Sequence, residues 1–236
     1  MVNINTVYQT VLALANKEQR GYITPQEFNL FANQAQMSIF EQYFYDLNQF
    51  LRVPGNNTAY ADMVNLLEEK ISFFEKSNAT VGGGNTLPND LYKLQQVLWK
   101  EFGQGSNNKT YEVEYVDKKT YRQMLHVPLI KPNDKKLVYT RNSNAISVIG
   151  KNVKTTNITC NYIAKPKNPN WTYVVVDKKA LYNANASDHQ HFELHGSEQT
   201  ELVTRVLALA GITLKDTNLY QIASNQTNSQ TQQQKQ

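Results

Sequence analysis

The segment DHQHFELH, residues 188–195, holds a dense set of metal-competent side chains. In an extended strand His189, His191, Glu193 and His195 alternate onto one face. Imidazole and carboxylate are both zinc donors. A zinc site also needs supporting ligands brought in from elsewhere in the fold, and this segment runs directly into a helix cap. Exposed strand residues are therefore the expected reading, and neither a metal nor a cofactor is assigned.

A second stretch, NKEQRGYITPQEF (residues 16–28), has the outline of a calcium loop, with Asn16 at position 1, Gly21 at position 6 and Glu27 at position 12. The ligand chemistry fails. Short oxygen side chains are needed at positions 1, 3 and 5. Here they are neutral Asn16, the longer Glu18 and Arg20, a fixed cation that repels a dication. A helix–turn–helix corner explains the same residues. Gly21 suits the left-handed position that ends a helix. Thr24 is an N-cap, Pro25 sits at N1, and Glu27 at N3 closes a capping box.

Other chemistry is sparse. Val81-Gly82-Gly83-Gly84-Asn85 lacks the Gly-Lys-Ser/Thr that completes a phosphate loop, so it reads as a flexible break. Cys160, the only cysteine, lies in an expected strand as a buried, inert thiol. A lone cysteine forms no internal disulfide, which fits a reducing compartment. No Ser–His–Asp or Cys–His arrangement stands out, and carboxylates are few in the middle of the chain. The expected class is a non-enzymatic protein.

The 236 residues allow one large domain or two small ones. Charged residues make up only 19%, and the polarity comes from Asn, Gln, Thr and Ser. The amino end lacks the basic region and apolar run of a signal peptide, and no stretch is apolar enough to span a membrane. Charge is unevenly spread. Residues 1–92 carry net −4, residues 93–180 net +10 and residues 181–236 net −2. A basic middle between acidic ends suits an anionic partner, or an acidic end docking on a neighbour's basic middle.

The spacing predicts an α+β fold: an N-terminal helical bundle with a long helix, a central antiparallel β region, C-terminal helices and a disordered tail. Residues 5–18 carry a stripe of Val7, Val11, Leu14 and Ala15. Residues 25–52 form the long helix, with Phe28, Phe31, Ala35, Ile39, Tyr43, Leu47 and Phe50 at intervals of three and four. Met63, Leu67, Ile71 and Phe74 mark a third helix over 60–76. The expected divisions are a helical domain at 1–80, a Gly-rich loop at 81–86, a mainly antiparallel β domain at 87–195, helices at 196–224 and a tail at 225–236.

Strands are expected at 111–116, 136–140, 144–150, 157–163 and 171–176, with a short helix capped by Asp117 after the first. LYKLQQVLWK (91–100) fits strand and helix equally. A helix capped by Ser197 buries Leu202, Val203, Val206, Leu207 and Ala210 and ends at Gly211, and Asp216 caps a shorter one to about residue 224. The Gly-rich loop and tail are expected to order only on assembly.

Three blocks carry a resemblance: NINTVYQTVLALANKEQRGYITPQEFNLFANQAQMSIFEQYFYDLNQFLR; TLPNDLYKLQQV with VDKKTYRQML and CNYIAKPKNPNWTYVVV; and FELHGSEQTELVTRVLALAGITLKD. Together they resemble a structural protein of crAss-like short-tailed bacteriophages and related marine phages. The short LP-x-D-L-Y element also resembles one in phage head–tail adaptors.

The resemblance implies a ring of roughly twelve copies in the portal-to-tail connector, joining capsid to tail and lining the DNA channel. The implied partners are further copies of the chain, the portal protein or adjacent tail rings, and passing genomic DNA, with no membrane. The implied location is the virion neck or tail, and the host cytoplasm during assembly. Leu87, Pro88, Asp90, Tyr92, Pro166 and Trp171 are the expected partner contacts. Lys118, Lys119, Lys135, Lys136, Lys165 and Lys167 are the expected basic residues facing DNA or a docking partner. The alternative is a DNA-binding accessory protein using the same basic middle.

Overall fold

Asn3 starts the first helix, its Oδ1 accepting from the backbone N–H of Asn5 at 2.9 Å. In the computed structural model, residues 1–17, 23–52, 58–101, 109–133, 136–150 and 157–213 are described. The chain divides into a helical unit, Met1–Phe73 with the segment from Pro166 onward, and a sheet unit, Phe74–Lys165. Gly21, the later Asp216-capped helix and the 225–236 tail lie outside the described residues.

The helical unit contains α1 (Ile4–Lys17), α2 (Pro25–Arg52), α3 (Thr58–Ser72) and α5 (Gln199–Thr213). On α1 the buried stripe is Ile4, Val7, Tyr8, Val11 and Ala15. Leu14, at the margin of that stripe next to Val7, is 40% exposed. On α2, Phe28, Ala35, Ile39 and Tyr43 are buried as expected, joined by Ala32, Gln36 and Phe40. Phe31, Leu47 and Phe50 are half-buried at its margins. All five expected apolar residues of α5 are buried.

The start of α2 is a complete capping box. Glu27 N–H donates to Thr24 Oγ1, and Glu27 Oε2 accepts from both the Thr24 backbone N–H (2.9 Å) and its hydroxyl (2.7 Å). These bonds hold the Glu27 carboxyl below its usual range. Thr24→Ala is expected to lower stability by about 1 kcal/mol. Glu27→Gln, which keeps a neutral acceptor but gives up the charge those bonds favour, is expected to lower the unfolding midpoint by circular dichroism less than Thr24→Ala does.

Three features of the helical unit differ from expectation. The cap before α5 is His195, whose Nδ1 accepts from Ser197 N–H ahead of a 3₁₀ turn at Gly196–Glu198. The helix also runs through Gly211 to Thr213, with Gly211 buried among helical neighbours. The third helix ends at Ser72, and residues 75 and 76 already belong to a strand.

The sheet unit contains β1 (Glu75–Thr80), β2 (Leu91–Glu101), β3 (Lys109–Tyr115), α4 (Lys118–His126), β4 (Val138–Asn142), β5 (Ala145–Ile149) and β6 (Ile158–Ala164). They form one sheet in the order β1-β6-β2-β3-β4-β5. Every neighbouring pair is antiparallel except β3 and β4, which run parallel with Glu114 opposite Val138. The helix α4 between them carries the chain back to the same end of the sheet, as parallel pairing requires a crossover.

Central β6 is buried almost throughout. Its Ile158, Cys160 and Tyr162 pack with Val97, Trp99, Val113, Leu137, Tyr139 and Ile146. Burial pushes the Cys160 thiol pKa up, keeping it protonated and unreactive.

The Gly-rich stretch is a formed turn rather than a break. Gly82 N–H donates to Thr86 O and Asn85 N–H to Gly82 O, both near 3 Å. The next two carbonyl–amide bonds, Ile146 N–H to Asn85 O and Leu87 N–H to Asn144 O, tie it to the start of β5. Gly84 adopts φ 79°, the left-handed region that favours glycine, and a Cβ on Gly82 would lie 2.6 Å from Thr86 Oγ1 and force that hydroxyl to turn away.

The segment expected as a strand at 171–176 pairs elsewhere. β7 (Tyr173–Val176) and β8 (Lys179–Tyr182) form a separate hairpin within the helical unit. Its two turn residues, Asp177 and Lys178, have φ of 48° and 62°, the positive values of the turn whose twist suits a tight hairpin. No described helix is long and apolar enough to cross a membrane.

Candidate docking surfaces

The four metal-competent side chains at 189–195 do not converge. The segment is a loop with two isolated bridges, Gln190 to Asn170 and Phe192 to Val2, rather than a continuous strand. Phe192 and Leu194 are its buried residues, and each polar neighbour has its own partner. His189 Nε2 lies 2.8 Å from Tyr182 Oη. His191 Nδ1 accepts from Ile4 N–H at 3.3 Å, and burial and the nearby His189 push its pKa down.

Glu193 accepts from Lys167 N–H at 2.8 Å, and His195 is the 3₁₀ cap. Among the described residues no group of three His, Cys, Asp or Glu side chains is placed to hold a metal. Ser197 Oγ touches both His195 Nδ1 (2.8 Å) and Glu198 Oε1 (3.2 Å). This is a capping turn: the carboxylate reaches the hydroxyl rather than the imidazole, the reverse of a nucleophile–base–orienter relay.

Three of the expected partner contacts are packing residues. Trp171 is 3% exposed, with its ring centroid 4.2 Å from Tyr8 and 5.8 Å from both Tyr173 and Tyr182. Its Nε1–H donates to Asn5 Oδ1 at 3.1 Å, and its backbone N–H donates to Asn29 Oδ1 at 2.8 Å. Leu87 is buried in the sheet core and Pro166 is buried in the helical unit. Large apolar groups contribute most when removed from water, and these three found partners within their own unit.

The remaining residues of the LP-x-D-L-Y element, Pro88, Asp90 and Tyr92, are half-buried. Asp90 is the fixing point. Its carboxylate accepts from Lys76 Nζ at 2.5 Å and Tyr162 Oη at 2.8 Å, and its carbonyl accepts from Lys165 N–H at 2.7 Å. Burial alone would raise the Asp90 carboxyl, but the Lys76 and Tyr162 bonds outweigh it and hold the carboxyl below its usual range.

Burial, then the Asp90 hydrogen bond and charge, push the Tyr162 phenol up to about 12. An unfolded tyrosine ionises near pH 10. The folded state therefore holds a proton that the unfolded state loses between about pH 10 and 12, and stability falls as pH rises through that window. Tyr162→Phe is expected to flatten that loss, measured as urea unfolding midpoints across the window.

The basic residues separate by unit. The sheet unit carries fourteen basic and seven acidic residues, net +7, and the helical unit ten and thirteen, net −3. Lys118 and Lys119 occupy the first turn of α4, behind the cap Asp117, whose Oδ2 accepts from Lys119 N–H. With Arg122, Gln123 and His126 they line a shallow groove of about 530 Å³. Arg122 and His126 are the members the lysine pattern missed, although successive steps of four from Lys118 put them on its face.

Among the described residues none of these cations has a carboxylate partner. Met124 is the buried residue of α4, packed with Val116 and Val138. Lys136 and Lys165 are exposed elsewhere on the sheet unit, Lys135 lies outside the described residues, and Lys167 belongs to the helical unit, 3.8 Å from Glu193.

Exposed apolar side chains form further surfaces that the sequence pattern did not single out. The last turn of α4 exposes Leu125 and the segment after it Val127, Leu129 and Ile130, and the hairpin exposes Val174, Val175, Val176 and Leu181. No protein-family profile matches the chain, and no curated protein matches it.

Proposed function

We propose that the chain is a structural subunit of the portal-to-tail connector of a short-tailed phage, assembling as a ring that joins capsid to tail around the DNA channel. The observation that carries this reading is the division of charge between the two units, net +7 against net −3. A head-to-tail ring contact is heterologous and needs two different, complementary patches on each copy. The three sequence blocks that resemble a crAss-like phage structural protein supply the phage context. The exposed β7–β8 valines and the apolar run after α4 supply further surface for docking neighbouring rings.

Cryo-electron microscopy of intact virions tests the reading. Density for multiple copies of this chain in a ring at the neck or tail is expected. Its absence from both would overturn the proposal.

Lys118, Lys119 and Arg122, which have no carboxylate partner among the described residues, favour a second reading, a DNA-binding accessory protein. That role requires tight binding by the isolated chain with a steep loss of affinity as salt rises. A connector subunit lets DNA slide past, so a weak, shallow titration is expected.

A further inference from the structure

We propose that copies of this chain contact one another through α3 of one copy and α4 of the next, packed antiparallel. The proposal deepens the ring reading and rests on it.

The outer face of α3 presents Asp62, Leu66, Glu69 and, in the turn after the helix, Phe73, at intervals of four, three and four. All four are exposed, Leu66 by 51% and Phe73 by 57%. Their opposite face, Leu67 and Ile71, is buried. The one cation of the described α3 side chains, Lys70, is turned away to Glu198 at 2.6 Å. The outer stripe is therefore acidic and apolar.

The outer face of α4 repeats the same intervals with the opposite charge: Lys118, Arg122, Leu125 and, in the following turn, Leu129. Leu125 is 42% exposed and Leu129 92%. No acidic side chain lies on this helix. Two cations in its first turn also oppose the positive end of the helix dipole. An anionic neighbour offsets that local penalty.

Charge complementarity selects the occupant. Two α4 stripes facing each other would set cation against cation, whereas the α3 stripe supplies the missing carboxylates. It also selects the direction. Antiparallel alignment puts Leu66 on Leu125, Glu69 on Arg122, and the Phe73 ring on the Lys118 ammonium as a cation–π pair, with Asp62 beside Leu129 as its single mismatch. Parallel alignment would match Asp62 to Lys118 and Phe73 to Leu129 but set Leu66 against Arg122 and Glu69 against Leu125, two charges against apolar groups rather than one. Because the two stripes differ, the contact is heterologous and propagates from copy to copy.

Full-length Leu66→Cys and Leu125→Cys variants, mixed at about 1 mM under oxidation, test the contact. At that concentration a contact with a millimolar dissociation constant is about half occupied. Cys160 is buried and need not be replaced. The mixed disulfide dimer is expected to dominate over both like-with-like dimers.

Adding Glu69→Lys to one partner, or Arg122→Glu to the other, is expected to reduce the mixed dimer roughly tenfold. Reversing both across the contact is expected to restore it. Random proportions of the three dimers, no mixed dimer, or an intramolecular disulfide in the double cysteine variant would each overturn the proposal. A neck ring in virions without the mixed dimer would remove this contact and leave the ring reading standing. The mixed dimer without a neck ring would do the reverse.

Discussion

Trp171→Ala is expected to destabilise the helical unit by about 4 kcal/mol, within the range for removing a core tryptophan. The indole packs against three aromatic rings, Tyr8, Tyr173 and Tyr182. Truncation removes that packing and leaves a cavity that the rigid rings fill only in part. It also strips Asn5 Oδ1 of the Nε1–H bond. Trp171→Phe keeps most of the stacked area and loses the N–H, so it is expected to cost about half as much.

Far-ultraviolet circular dichroism during urea unfolding follows the helices of this unit. In the Trp171 variants the only tryptophan left is Trp99, in the sheet core, so fluorescence follows the other unit separately. A loss below about 1 kcal/mol in the helical transition would show that Trp171 does not anchor the hairpin segment to the helices.

The same residue shows where sequence reading stops. CNYIAKPKNPNWTYVVV reads as β-rich chain throughout, yet it changes unit at Pro166. What decides this is long-range: Asn29 receives the Trp171 backbone N–H across 142 residues, and Gln36 Nε2 donates to Lys167 O across 131. No local period encodes such a pairing.

The helices were legible because apolar residues spaced by three and four fall on one side of a helix, whereas in a strand they would scatter over both faces. The edge strand β1 was not. EKSNAT is polar and mostly exposed, and it pairs on one side only, through a bulge at Lys76–Ala79 where Asn78 takes φ 55°. Charges and bulges are what edge strands use to avoid aggregation, so they hide the strand signal.

The α4 surface was half legible. Its cap and two lysines followed from VDKKTYRQML, whereas Arg122 and His126 were not singled out and the exposure of Leu125 and Leu129 depends on Met124 being the side chain that meets Val116 and Val138. An apolar residue is assigned to the interior by default, and only the packing shows which one stays outside.

Removing either member of the Lys70–Glu198 pair is expected to cost more than removing both. Glu198 is 3% exposed, and its Oε1 lies 2.6 Å from Lys70 Nζ. Ser197 Oγ donates to the same oxygen, and Lys70 Nζ lies 5.5 Å from the centroid of the Tyr43 ring. Burying two charges is costly, and their attraction and hydrogen bonds offset that cost only while both are present.

Glu198→Leu leaves an ammonium whose side chain is 22% exposed, so part of its charge reaches water, and a loss of about 3 kcal/mol is expected. Lys70→Met leaves a carboxylate whose side chain is 4% exposed. With less access to solvent, that loss is expected to be larger, about 4 kcal/mol. The double replacement puts two apolar side chains in the same space and is expected to cost less than either single change. Urea unfolding of the three variants closes a double-mutant cycle. Additive losses would mean that the pair is not coupled and that each side chain acts through packing alone.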